Sequence, residues 1–120
     1  MPNAEIKPYK ITTSNLEKNN QDGKLIEFPL LTKKIFHFSF PVAGGFFIRL
    51  LPLRWIEKAI KSNEDKKIPS TFYIHSWELT PEHMRKVQMS KRDNFITYHN
   101  LEKTSARLEK LLEKFEFTSF

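Results

Sequence analysis

Large apolar side chains are sparse over residues 1–23, where TTSNLEKNNQDGK is a string of turn formers, so this lead-in reads as loop or poorly ordered chain. From residue 24 to 120 the pattern changes. KLIEFPLLT (24–32) reads as a strand, with Pro29 placing it at a sheet edge or a bulge because proline cannot donate to the ladder. KIFHFSF (34–40) alternates, with Phe36, Phe38 and Phe40 on one face and His37 and Ser39 on the other, the period of a half-buried strand. Leu53, Ile56 and Ile60, with Trp55 and Ala59, fall at helical spacing opposite Arg54, Glu57, Lys58 and Lys61, which predicts an amphipathic helix over 52–62 with proline in its first turn. NEDKKIPS is a charged loop, and TFYIHSWEL (71–79) reads as a β-branched and aromatic strand. TPEHMRKVQMSKRDNF is polar and reads as a long irregular connection with at most one helical turn from Pro81. A last helix, capped by Asn100, carries Leu101, Ser105 or Ala106, Leu108, Leu111, Leu112 and Phe115 as its apolar stripe, and FEFTSF ends the chain as a short strand.

One hundred and twenty residues with 39% hydrophobic and 13% aromatic content suit a single domain able to build a core. The absence of cysteine removes disulfides, thiolate nucleophiles and Cys-based zinc sites. The N-terminal MPNAEIKPYK has no apolar core after its Met and does not read as a secretory signal, so the default compartment is the cytoplasm. The most apolar run, FPVAGGFFIRLLPLRWI, is broken by Arg49, Arg54, two glycines and two prolines, and reads as buried core with no membrane span. A formal charge of +6 is spread over scattered pairs such as Lys33-Lys34, Lys66-Lys67 and Lys91-Arg92 with acids between them, which reads as solvated surface with no nucleic-acid partner.

Candidate chemistry is confined to a few positions. His75, at the end of the TFYIH run, is either a general acid or base or a structural histidine. Trp77 is then a pocket wall or a core aromatic, and Glu78 an orienting partner or a solvated acid. Arg49, a charge inside an apolar run after Gly44-Gly45, needs a partner: a carboxylate of the fold or a substrate. The glycine pair marks a tight turn or a close backbone approach. His37, His83 and His99 form no metal-binding spacing, and no phosphate loop, dinucleotide fingerprint or nucleophile elbow occurs.

Taken together, LIEFPL, FPVAGGFFIRLLP, STFYIHSWEL and FITYHNLEKTSARLEKLLEKFEFTSF resemble the C-terminal part of NodB-like polysaccharide deacetylases, in the subgroup associated with exopolysaccharide and exosortase systems. The patterns there are similar to E-F-P-L-S-T, P-V-A-G-G-G-Y-F-R-L-L-P, F-Y-L-H-P-W-E and Y-x-N-L-D-x-T-x-x-R-L, and the resemblance covers residues 24–120. It implies an α/β fold, the C-terminal portion of a deformed (β/α) barrel. It also implies hydrolysis of N-acetyl groups from a sugar polymer with a divalent metal such as zinc, His75 as the general acid, and Trp77, Glu78 and Arg49 at the substrate. Ser76, Phe46 and Thr97 depart from the pattern, standing where proline, a third glycine and histidine are usual. The metal-binding and base motifs, T-F-D-D-like and H-x-x-x-H-like, are absent. The resemblance therefore implies a separate or truncated piece with no cofactor of its own, inactive alone. Its expected partners are a carbohydrate polymer and the missing N-terminal half of the barrel, or a second copy meeting its open strand edges. The alternative is a stand-alone carbohydrate- or protein-binding module.

Overall fold

The computed structural model describes residues 6–16, 19–35 and 37–118, Ile35 by its backbone alone. Strand β1 (Tyr9–Ile11) pairs antiparallel with β2 (Leu25–Glu27), and β3 (Thr32–Ile35) with β4 (Phe38–Pro41). Five α-helices follow: α1 (Gly45–Leu50), α2 (Leu53–Glu64), α3 (Ser76–Leu79), α4 (Lys91–Tyr98) and α5 (Thr104–Leu112). Single 3₁₀ turns at Pro81–His83 and Leu101–Lys103 precede α4 and α5. The fold is mixed α/β, and the described residues form small sheets and no closed barrel. No helix among them is long and apolar enough to cross a membrane.

The element that organises the site is not one of the named strands. The extended run 71–74 makes parallel bridges from Thr71 to Leu30 and from Tyr73 to Gly44. Leu31 N–H donates to Thr71 O at 3.0 Å, Tyr73 N–H to Ala43 O at 3.1 Å, and Gly45 N–H to Tyr73 O at 3.1 Å. Val42 N–H donates to Leu31 O at 3.0 Å, so 29–31 and 42–45 act as one strand interrupted by the β3–β4 hairpin. From that strand the chain runs through α1 and α2 and returns parallel to it, the β-α-β arrangement that parallel neighbours require.

The core lies between this pair and the helices. Leu31, Val42, Ala43 and Ile48 meet Ile56, Ala59 and Ile60 of α2 and Leu111 of α5, with Phe115 closing the end and Phe72 and Ile74 packed against them. Because side chains alternate along an extended segment, burying Phe72 and Ile74 turns Tyr73 and His75 to the opposite face. Tyr73 is 56% exposed as a result.

Several expectations are revised. The lead-in contains β1, because Tyr9–Ile11 finds a partner in β2 that local composition does not reveal. KIFHFSF is a hairpin in place of one strand, and Phe38, 67% exposed, and Phe40 lie outside the core; Phe36 falls outside the described residues. The strand expected over 71–79 stops at the bridge of Tyr73, and Ser76–Leu79 winds into α3. The polar connection holds α4, started by Ser90, whose Oγ accepts from Asp93 N–H at 3.1 Å. Asn100 adopts the left-handed conformation after α4 (φ 51°) and its side chain caps no helix. No strand forms at Phe115–Thr118, where Phe115 joins the core; Ser119 and Phe120 lie outside the described residues.

Candidate functional site

The strand-to-helix junction at His75 is built on a buried ion pair. Arg49 and Glu78 are each only 2% exposed, and Arg49 Nη2 lies 2.9 Å from Glu78 Oε1. A guanidinium has five N–H donors. Each has an acceptor here: Glu78 Oε1 and Ile96 O (3.2 Å) for Nη2, Thr97 O (2.9 Å) and His99 O (3.0 Å) for Nη1, and Gly45 O (3.2 Å) for Nε. Ile96, Thr97 and His99 supply carbonyls at the end of α4, which a helix leaves without intrahelical donors, so Arg49 places its charge where the helix dipole is negative. Of the two roles that its burial allowed, the structure gives Arg49 the carboxylate partner, and its donors are all spent inside the fold.

Glu78 is committed on both oxygens. Oε2 accepts the His75 backbone N–H at 3.0 Å, the glutamate half of a capping box at the start of α3. This explains Gly45. Its φ is not positive, so no conformational need selects glycine there. A Cβ on Gly45 would instead fall 2.0–2.3 Å from the Glu78 carboxyl atoms. The second residue of Gly44-Gly45 is small because a carboxylate occupies the space of its side chain.

The His75 backbone is fixed by Glu78 and its ring lies at the surface between two aromatic neighbours. The imidazole is exposed, stacked on Trp77 (5.5 Å between centroids, 20° between planes) and edge-on to Tyr73 (4.7 Å, 73°). Tyr73 Oη stands 3.5 Å from Nδ1. These rings border an open pocket of about 270 Å³ whose floor is Gly45, Arg49 and Glu78 and whose far wall is Phe46, Ile96 and Thr97. The Arg49 guanidinium carbon sits 6.0 Å from the Trp77 ring and 5.9 Å from the Phe46 ring, so the aromatic walls also cover the buried cation.

All four residues anticipated from sequence thus meet in one place, His75 and Trp77 at the pocket surface, Arg49 and Glu78 beneath it. Sequence reasoning missed Tyr73, Phe46 and the α4 residues Ile96 and Thr97. The alternation that puts Phe72 and Ile74 inside was the available signal for Tyr73, and Ser90-x-x-Asp93 was the signal for α4. Among the described residues no group of three His, Asp or Glu side chains could hold a metal ion.

No curated protein and no solved structure matches the chain. A family model does, and over residues 1–120 it places this chain in the family described as Domain of unknown function (DUF3473).

Proposed function

We propose that this chain is the C-terminal part of a carbohydrate deacetylase of the polysaccharide type, contributing the general acid His75 and two neighbouring parallel strands, 29–31 with 42–45 and 71–74, of a barrel whose remaining strands lie in a separate polypeptide or segment. The observation that carries the reading is the state of the 71–75 run. Successive backbone groups of a strand point alternately to its two sides. Thr71 and Tyr73 are bonded toward 29–31 and 43–45. Phe72 and Ile74 face the other way, and their N–H and C=O groups find no partner among the described residues. An open edge of this kind accepts another strand.

In this reading His75 protonates the amine that leaves when the N-acetyl bond is cleaved, a task that suits an imidazole at neutral pH. Trp77 fixes the ring plane by stacking, while Glu78 fixes the backbone through the His75 N–H and Arg49 fixes Glu78. None of these steps runs through a metal; in this reading water activation belongs to the complementary part. A specific observation favours a second reading as well. Tyr73, His75 and Trp77 form a contiguous ring platform, and such platforms hold sugar rings in binding modules that catalyse nothing.

Complementation separates the two. The chain is mixed with a polypeptide carrying the metal-binding half of such a barrel, and acetate release from a chitin oligosaccharide is followed. The deacetylase reading expects release from the mixture only, reduced about a hundredfold or more by His75→Ala. Release indifferent to His75→Ala removes the assignment of the acid, and oligosaccharide binding without release leaves the binding module.

A further inference from the structure

Only one of the two ring nitrogens of His75 has a partner. Tyr73 Oη stands 3.5 Å from Nδ1, while Nε2 meets no hydrogen-bonding group among the described residues. The phenol is presented from a fixed point. Tyr73 and His75 lie two positions apart on an extended run and so share a face, and the Tyr73 backbone is bonded twice, its N–H to Ala43 O and its carbonyl to Gly45 N–H. The two rings meet edge to face at 4.7 Å, and Trp77 stacks on the imidazole at 20°, so Trp77 sets the ring plane and Tyr73 selects the nitrogen that is covered. Glu78, the acid built into this junction, cannot take that place, because Oε1 is spent on Arg49 and Oε2 on the His75 backbone. No other acid among the described residues forms an ion pair with the ring.

An imidazole acting as an acid is the doubly protonated ring, whose Nδ1–H must donate, and a phenol oxygen can accept it. The Nε2 proton then passes to the nitrogen of the breaking C–N bond, and the acyl carbon keeps the oxygen that water brought. The ring is left neutral with its remaining proton on Nδ1, the form that free histidine in water favours less. An acceptor at Nδ1 stabilises that form, the task of the aspartate in a Ser-His-Asp triad, where the wrong tautomer removes most of the rate. Solvent returns the proton to Nε2. From this we infer that Tyr73 is a positioning residue for His75, its phenol oxygen accepting Nδ1–H so that Nε2 delivers the proton. The assignment rests on the reading of His75 as the acid. The 3.5 Å separation is in keeping with a site without substrate, where catalytic hydrogen bonds are often long and tighten in the complex.

Tyr73→Phe removes the oxygen and keeps the edge-on ring at a residue that is 56% exposed, so the fold is retained, checked by the urea midpoint. The imidazole nitrogen shifts of His75 are read by long-range proton–nitrogen correlation in the full chain at about pH 9, above the ordinary range of histidine. The parent is expected to hold more of the Nδ1–H form than Tyr73→Phe. Equal populations in the two proteins, or more Nε2–H in the parent, overturn the inference, and this measurement needs no activity. In a complemented mixture that releases acetate, Tyr73→Phe should lower kcat about tenfold with KM unchanged, a smaller loss than that of His75→Ala. An unchanged kcat overturns the inference, and so does a rise in KM alone, which would make Tyr73 a substrate contact. Release that ignores His75→Ala defeats the acid and its positioning residue together, whereas a failure confined to Tyr73→Phe leaves the acid standing.

Discussion

The contact between Gly45 and Glu78 makes a quantitative prediction. Glu78→Ala leaves Arg49 buried with four carbonyl partners and no counter-charge, and breaking a buried pair from one side costs about 3–5 kcal/mol. Gly45→Ala introduces no new charge and would ordinarily gain up to about 1 kcal/mol in helix propensity. Here its Cβ lands 2.0 Å from Glu78 Oε2, and the carboxylate cannot withdraw without releasing Arg49 or the His75 N–H. Gly45→Ala alone should therefore cost nearly as much as Glu78→Ala. In the double variant the space is empty, so the second substitution adds almost nothing and the coupling energy is about 3 kcal/mol, far above the ~0.5 kcal/mol within which independent sites add. Urea unfolding followed by far-ultraviolet circular dichroism, with m unchanged across the four proteins, measures it. Additive single-site costs would show that Gly45 is glycine for a reason other than the carboxylate, and would sink the account of the pocket floor.

Three further outcomes follow from other contacts. Arg107 donates to Ile48 O at 2.6 Å and to Leu51 O, the unpaired carbonyls at the end of α1, so Arg107→Met, which keeps the stem, should cost about 1.5–3 kcal/mol in the same unfolding assay. His75→Ala removes an exposed ring whose backbone N–H still reaches Glu78, so its unfolding midpoint should stay within about 0.5 kcal/mol of the parent; a large loss would make the histidine structural. In hydrogen exchange, the Tyr73 amide, bonded to Ala43 O, should be protected, whereas those of Phe72 and Ile74 should exchange fast and become protected only when a strand is added alongside; protection of all three in the isolated chain would close the edge.

How much of this was legible beforehand depended on how far away the deciding partner lay. The helix of 52–62 was readable because its stripe of Ile56, Ala59 and Ile60 repeats at a local period, and it forms as Leu53–Glu64. His75, Trp77, Glu78 and Arg49 were singled out by residue type, by their place in or after apolar runs and by the resemblance, and they do converge. What sequence could not give was their division of labour. Whether Arg49 faces a carboxylate or a ligand is decided by Glu78, 29 positions on, and by the end of α4, 47 to 50 positions on. The Phe38 and Phe40 alternation misled for the same reason: period two identifies a strand, but which face is covered depends on what the rest of the chain lays against it.

The choice of arginine at position 49 ties the two halves of the site together. Lysine would bring the same charge on a point with three donors, and could serve the Glu78 carboxylate only by abandoning carbonyls of Gly45 or of the end of α4. The planar fork does both at once, so the orientation of α4, the entry into α3 and the position of Glu78 are set by one side chain. Asn100 extends the lock: its side-chain amide nitrogen lies 2.9 Å from His99 Nε2 and 3.4 Å from Arg49 O, holding the left-handed residue after α4 against α1. An all-apolar junction could hold the same elements with equal stability. It would not dictate where the backbone N–H of His75 points, because hydrophobic contact has no direction. The buried charge is thus best understood as fixing geometry where the chain leaves a strand, presents an exposed imidazole between Tyr73 and Trp77 and enters a helix within two residues.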